Sequence, residues 1–574
     1  MTDKNEPGVS RREVVKGTGA TAFALAAATW SAAPSLAANG QMVTGIVFED
    51  RSHAGHRQPG DPGIAGVLVS NGREIAKTDG EGRYALPIEE GMAVFVIKPT
   101  GYAVPVDENN LPRFFYIHQP KGSPAELNLH FRGIDPTGPL PASVDFPLRK
   151  SEEASSFDVI MFTDPQPESD VEVSFIRDAV VNGLIGAKAA FGITTGDLMF
   201  DDLSLYGRYN RIIGQIGLPW YSIGGNHDLN FEARDRSLSR ETFKRIFGPN
   251  YYAFEYGGAV FLMLDNVDYL GGEHANPKEG GKYEGRFDER QLSFIGNLLK
   301  EVPTDKLLVV CMHIPLRTYL GPKDPVVSTV NTAALLELLS GRPNTVSLSG
   351  HTHTTEHHYF GSEDGFAGGS PHHHHVMTAV CGSWWSGPYD HRGIAVADSR
   401  DGTPNGFHIL SVEGNRYTTR FQAANEPSAR QMRIVLDSGF HRDRKEVYRD
   451  FRMGQLLGSP IAQENVYATE VVVNLFDGGP RSTVEYRMGN RPAIPMTRDV
   501  RPDPFVEEVY ARNQATKKPW VKAEPCSHIF VARLPSDLGT GTHSLRVRAT
   551  DEYGRVHIDN LVVEVTGGEA RDKS

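Results

Sequence analysis

The chain has 574 residues, of which 39% are hydrophobic and 23% charged, and a formal net charge of −12. That length gives room for about three or four domains with cores of their own, and the acidic balance argues against a nucleic-acid partner, which would need a basic face. The 3 cysteines, Cys311, Cys381 and Cys526, are too few and too scattered for a disulfide framework or a thiolate metal cage, and read as buried free thiols.

Residues 1–38 stand apart. Ser10, Arg11, Arg12 and Lys16 precede an Ala-rich apolar run at 20–33 and small residues at Ser35 and Ala37, a pattern that resembles a twin-arginine signal peptide. The run is shorter than the ~20 residues needed to span a bilayer. The expectation is export by the twin-arginine (Tat) machinery in the folded state, a periplasmic or extracellular product, and no stable membrane anchor after processing. No other segment reads as transmembrane.

Residues 39–135 show short apolar strands at 45–48, 67–69, 84–86 and 94–97, with Asn71-Gly72 as a hairpin signal. Thr78, Asp79, Gly80, Gly82 and Tyr84 resemble a turn of prealbumin-like β-sandwich modules. The expectation is a small N-terminal β-sandwich with an accessory role. Pro136, Gly138, Pro139 and Pro141 then mark a stiff linker over 136–154.

From 155 to 425 strands alternate with helices, the rhythm of a layered α/β domain. Strands are expected at 157–163, 191–195, 221–223, 260–264, 307–312 and 345–348, and helices at 171–190, 206–216 and 288–300. Asp164, Gln166, Asp197, Asn226, His227, His313, His351 and His353 all fall just past the carboxyl end of one of these strands. That edge is where layered α/β folds bind ligands, and scattered surface residues would not keep to it.

In order they stand as Asp164-Pro-Gln166, Gly196-Asp197, Gly225-Asn226-His227-Asp228, His313 and Gly350-His351-Thr-His353. This series resembles the calcineurin-like metallophosphoesterases, whose pattern is D-x-H, G-D, G-N-H-[DE], H and G-H-x-H. The departure is Gln166, where an imidazole is usual. The flanking β-rich segments are similar to those of an exported bacterial subgroup of that family.

The resemblance implies a phosphoric ester hydrolase with two divalent or trivalent metal ions, Mn, Fe, Zn or Co. Asp164, Gln166, Asp197 and His353 would hold one ion, and Asp197, Asn226, His313 and His351 the other. Asp197 would bridge them, as suits a two-metal site. It further implies in-line attack on phosphorus by a bridging hydroxide, with His227 protonating the leaving oxygen or stabilising the transition-state charge, and Asp228 beside it in the catalytic group. Phosphatase and phosphodiesterase activity both fit this implication. The substrate is a phosphoester, with a phospho-sugar or phospholipid of the envelope in view. The competing expectation is a non-catalytic phosphate- or glycan-binding module on a degenerate phosphoesterase fold, suggested by Gln166.

His357, His358 and the tract 372–375 are expected as solvated surface, the tract in a Gly/Ser-rich loop where it adds weak metal affinity without being needed for the metal pair. Beyond the last ligand, Trp384, Trp385, Arg392 and Asn405 lie in loop chemistry that follows the ligand strand closely. They are the substrate-binding candidates, the two indoles as stacking surfaces.

Residues 426–568 return to β signals, at 469–475, 483–488, 528–534, 543–550 and 560–565, with a turn at Asp477-Gly478. An immunoglobulin-like β-sandwich without catalytic spacing is expected there, followed by a disordered tail at 569–574.

Overall fold

The computed structural model of the chain describes residues 40–271, 282–437 and 460–567. The export signal read at 1–38 and the tail read at 569–574 lie outside the described residues. No helix among the described residues is long and apolar enough to cross a membrane.

Two mixed sheets form the centre. One contains the parallel strands Trp220–Ile223, Phe191–Thr195 and Ser156–Phe162, continued antiparallel by Gly406–Glu413 and Arg416–Ala423. The other runs Tyr252–Tyr256, Ala259–Met263, Leu308–Cys311, Thr345–Ser349, His372–Val376 and Glu356–Phe360, with its four inner strands parallel. Parallel strands buried on both faces read as nearly continuous apolar runs; Leu308–Cys311 and Ala259–Met263 are wholly buried. Val159, Met161, Phe191 and Ile223 of the first sheet share one core with Phe254, Phe261, Val309 and Val346 of the second.

Helices cover the outer faces. Ile176 of the helix Asp170–Ala179 and Tyr209 and Ile213 of Tyr206–Ile213 pack with Ile160 and Phe162. Phe294 and Leu298 of Glu289–Glu301 and Leu335 and Leu339 of Thr332–Leu339 close the other face. Asp288 caps Glu289–Glu301 by accepting from the Gln291 amide. The helix expected at 171–190 is shorter: it ends at Ala179, and a 3₁₀ turn follows at Val181–Gly183.

The N-terminal segment forms two four-stranded sheets, one around Gln41–Glu49 and one around Ala93–Ile97. Asn71 builds its hairpin as a turn in which Oδ1 accepts from the Arg73 and Glu74 amides. The stretch 136–154, read as a linker, supplies the strand Phe146–Lys150, which pairs parallel with Gln41–Glu49. Prolines stiffen its approach, but its alternating Phe146 and Leu148 are core residues. The C-terminal segment is a pair of sheets whose facing residues, among them Val471, Tyr486, Phe530 and Val547, form a separate core.

The tract 372–375 is not a solvated loop. It is the strand His372–Val376, buried throughout, and His357 and His358 lie buried on the neighbouring strand Glu356–Phe360. Buried hydroxyl and carboxylate partners let imidazoles fill positions that composition assigns to solvent.

Candidate metal centre

The backbone at the strand ends is unusual. Among the described non-glycine residues with left-handed φ are Asp164 (48°), Gln166 (42°), Asp197 (49°), His351 (76°) and His353 (53°). Such conformations cost of order 1–3 kcal/mol each and persist where the surroundings fix them for a purpose. The motif glycines make room: a Cβ on Gly225 would lie 2.1 Å from Asp197 Oδ1, and one on Gly350 would lie 2.2 Å from Asp164 Oδ2.

The side chains so aimed meet in a buried cup. His313 Nε2 lies 3.0 Å from Asn226 Oδ1, 3.2 Å from Asp197 Oδ2 and 3.2 Å from His351 Nδ1. His353 Nε2 lies 3.6 Å from Asp164 Oδ1. The His351 amide donates to both Asp164 oxygens, at 3.1 and 2.9 Å, and the His227 amide donates to Asp197 Oδ1 at 2.9 Å. Asp164, Asp197, Asn226, Gln166, His313 and His353 are buried, whereas His351 and His227 are half-buried.

Each imidazole is oriented from outside. His313 Nδ1 faces the Thr195 carbonyl at 3.0 Å, His353 Nδ1 the Gly382 carbonyl at 2.6 Å, and His351 Nε2 the Val326 carbonyl at 2.9 Å. A carbonyl can only accept, so the outer nitrogen carries a proton, which leaves the inner nitrogens of His351 and His353 their lone pairs for the cup. Burial pushes His313 down, but the Asp197 carboxylate more than offsets this and lifts it to about 9. Burial holds His351 and His353 down to about 3, the neutral state that ligation needs. Burial opposes the Asp197 charge, but the His313 and His227 imidazoles more than offset it and hold that carboxyl well below its usual range. Burial, with Asp197 adding to it, lifts Asp164 to about 6.

Nitrogen and oxygen donors without thiolate, already desolvated and pre-oriented, fit borderline divalent ions. Asp197, His313 and His351 offer ligand atoms all within 4.8 Å of one another. Gln166 sits in the same cup, but it donates Nε2 to Asp197 Oδ2 at 3.1 Å and turns Oε1 toward Cys381 Sγ at 3.8 Å. In this arrangement it orients the shared carboxylate.

His227 stands at the mouth with Nδ1 2.7 Å from Asp201 Oδ1, and its ring stacks on Phe200 at 4.5 Å. Trp520 of the C-terminal segment stacks on Phe200 in turn at 5.7 Å. Asp228 is fully buried and accepts from the Leu198, Met199 and Gly225 amides and the Tyr206 hydroxyl. Through these bonds it ties together the loops that carry Asp197 and His227.

The substrate candidates separate. Trp384 stacks on His353 at 3.8 Å and is half-buried at the cup. Trp385 is core: 3% exposed, it donates Nε1 to the Pro165 carbonyl and packs near Phe175. Arg392 is an exposed partner of Asp390, and Asn405 holds the Val380 carbonyl. Sequence reading passed over Asp201, although it follows Asp197 by four residues, and Phe200 and Trp520, for which the sequence carries no signal.

Three family models match the chain: the N terminal of calcineurin-like phosphoesterase over residues 51–133, calcineurin-like phosphoesterase over 175–355, and the C terminal of calcineurin-like phosphoesterase over 374–557. No curated protein matches it. Among solved structures it is similar to purple acid phosphatase PPD1 from seeds of yellow lupin (Lupinus luteus), at 12% identity over 62% of this chain and 67% of that one, with a TM-score of 0.32. Matched in sequence from its N-terminal to its C-terminal segment by models of one family, the chain belongs to the calcineurin-like phosphoesterases.

Proposed function

We propose that this phosphoesterase hydrolyses its substrate at two metal ions held in the cup, one by Asp164, Asp197 and His353 and the other by Asp197, Asn226, His313 and His351. The observation that carries this reading is the approach of Asn226, Asp197 and His351 to within 3.2 Å of His313 Nε2 in a buried cup. When bound, such ions supply Lewis acidity to the phosphoryl oxygens and make water nucleophilic near neutral pH.

The chain's own residues do the rest. Asp197 would be shared by the two ions, and it takes its orientation from the His227 amide on Oδ1 and from Gln166 on Oδ2. His227, half-buried at the mouth, holds a proton for the leaving oxygen. Burial pushes its imidazole down, but the charges of Asp197 and Asp201 more than offset this and lift it to about 9. Asp201 fixes the ring through Nδ1, which directs Nε2 to the leaving group. Trp384 and the Phe200–Trp520 pair flank the opening as apolar walls for the alcohol part of the ester.

Export through residues 1–38 by the Tat machinery, and an envelope phospho-sugar or phospholipid as substrate, complete the proposal. It is tested by turnover of an aryl phosphate monoester and diester by the full-length protein, before and after chelation and on return of Mn, Zn, Fe or Co. Turnover that needs metal supports it. A protein that binds metal and phosphate but turns over neither ester would be the binding module instead.

A further inference from the structure

The buried histidine tract has no part in the hydrolytic cup, and strand alternation sorts it into two faces. His372 is satisfied by Thr345 and Ser347 hydroxyls at 2.8 Å, and His374 by the Ser347 hydroxyl at 2.7 Å and the Leu316 amide at 3.1 Å. His373 and His375 belong to the other face, and there the accounting does not close.

Three imidazoles approach one carboxylate oxygen. Asp477 Oδ1 lies 3.0 Å from His375 Nε2, 3.2 Å from His357 Nε2 and 3.3 Å from His408 Nε2. His375 and His357 come from neighbouring strands of one central sheet, His408 from the other sheet, and Asp477 from the turn after Glu470–Leu475 in the C-terminal segment. The three histidines have no exposed surface and Asp477 is 5% exposed.

Hydrogen bonds alone leave this cluster unbalanced. A carboxylate oxygen has about two lone pairs, yet three nitrogens crowd Oδ1 while Asp477 Oδ2 has no partner. His375 Nε2 is likewise buried without a hydrogen bond. Such groups call for an ion or a partner. The ligand atoms of His357, His375 and Asp477 lie within 4.8 Å of one another. The nitrogen–oxygen separations match the edge of a tetrahedron around zinc, about 3.3 Å for arms of about 2.0–2.1 Å.

The outer nitrogens are held as those of ligands are. His357 Nδ1 meets His373 Nε2 at 2.9 Å, whose own Nδ1 meets the Tyr417 hydroxyl at 2.8 Å, and His375 Nδ1 meets the Thr419 hydroxyl at 3.2 Å.

We propose that His357, His375 and Asp477 form a closed structural site for a divalent cation of the zinc class, with His408 steadying the Asp477 carboxylate from the second sheet, and that it fastens the C-terminal sandwich to the central sheets. Donors buried away from solvent suit a structural rather than a catalytic ion.

The test measures zinc per chain and thermal midpoint for the full-length protein, for His375→Gln and His357→Gln, and for Asp197→Asn, each chelated and then given Zn(II) alone. The expected result is one zinc fewer per chain in either histidine variant, with aryl phosphate turnover retained. A zinc-dependent rise in midpoint is expected in Asp197→Asn, where only the Asp477 cluster loads, and a smaller rise in the histidine variants, where only the cup loads, than in the wild type. Because Asp197→Asn empties only the other centre, failure here and failure of the hydrolytic reading give different patterns. Should the histidine variants not fold, Co(II) added to chelated Asp197→Asn decides: intense visible bands of tetrahedral cobalt support the site. Their absence, or unchanged zinc content in the folded histidine variants, overturns it.

Discussion

Two histidine clusters lie on the same pair of sheets and are built in opposite ways. The cup proposed for hydrolysis takes its candidate donors from residues just past the strand ends, where the backbone leaves the ladder and turns left-handed at Asp164, Gln166, Asp197, His351 and His353. The Asp477 cluster takes its histidines from within strands, where the pleat alone aims them. Loop-borne donors leave His351 and His227 half-buried beside solvent, as a site must be if a substrate is to enter. Strand-borne donors give a closed cluster with nowhere for a substrate to stand. Position along the strand thus separates an open site from a sealed one made of the same side chains.

The sharpest way to break the comparison is Asp197→Asn. The variant should lose turnover to background and metal from the cup while the Asp477 cluster stays loaded, as elemental analysis would read. Retained activity would remove Asp197 from its bridging role.

His227→Ala comes next. If the imidazole only serves the leaving group, turnover should fall about 10²–10⁴-fold with metal content unchanged, and esters of poorly leaving alcohols should suffer more than aryl esters. Loss of a metal instead would move His227 into the ligand shell.

How much of this was legible follows from how each part is built. The strand ends were readable because short apolar runs stop at glycine-bracketed polar residues, as at Gly225-Asn226-His227-Asp228, and each run became a strand. Asp477 was not, because Asp-Gly after a strand is an ordinary turn signal and its partners lie more than a hundred residues away, at His357 and His375. The tract 372–375 misled because four imidazoles read as polar, whereas Thr345, Ser347 and Thr419 supply the partners that allow burial. Trp384 and Trp385 are adjacent in sequence, and only packing tells the ring on His353 from the ring in the core.

Gln166→Ala sharpens the contrast between donor and orienter. With its amide nitrogen on Asp197 Oδ2, its loss should weaken metal binding at the cup by about 10–100-fold, read by competition with a chelator. A cup that no longer takes up its ion at saturating metal would make Gln166 a ligand.

The smallest effect expected is on stability against pH. Burial holds His372 down to about 3, below its unfolded value near 6.5. The unfolded chain therefore takes up the proton first, so this contribution is complete above about pH 6.5 and is lost as pH falls toward 3. His372→Asn should flatten the decline of the thermal midpoint between pH 6.5 and 4. An unchanged slope would place the acid sensitivity elsewhere.

The central claim, that the cup is a metal-dependent phosphoester hydrolase centre, is tested most directly by removing and returning the ions in the wild-type chain while following aryl phosphate turnover. The account predicts that turnover disappears with the metal of the cup and returns with it, and that His375→Gln shows the same loss and recovery. Turnover that survives complete chelation, or that fails to appear with any of Mn, Zn, Fe or Co, would contradict it.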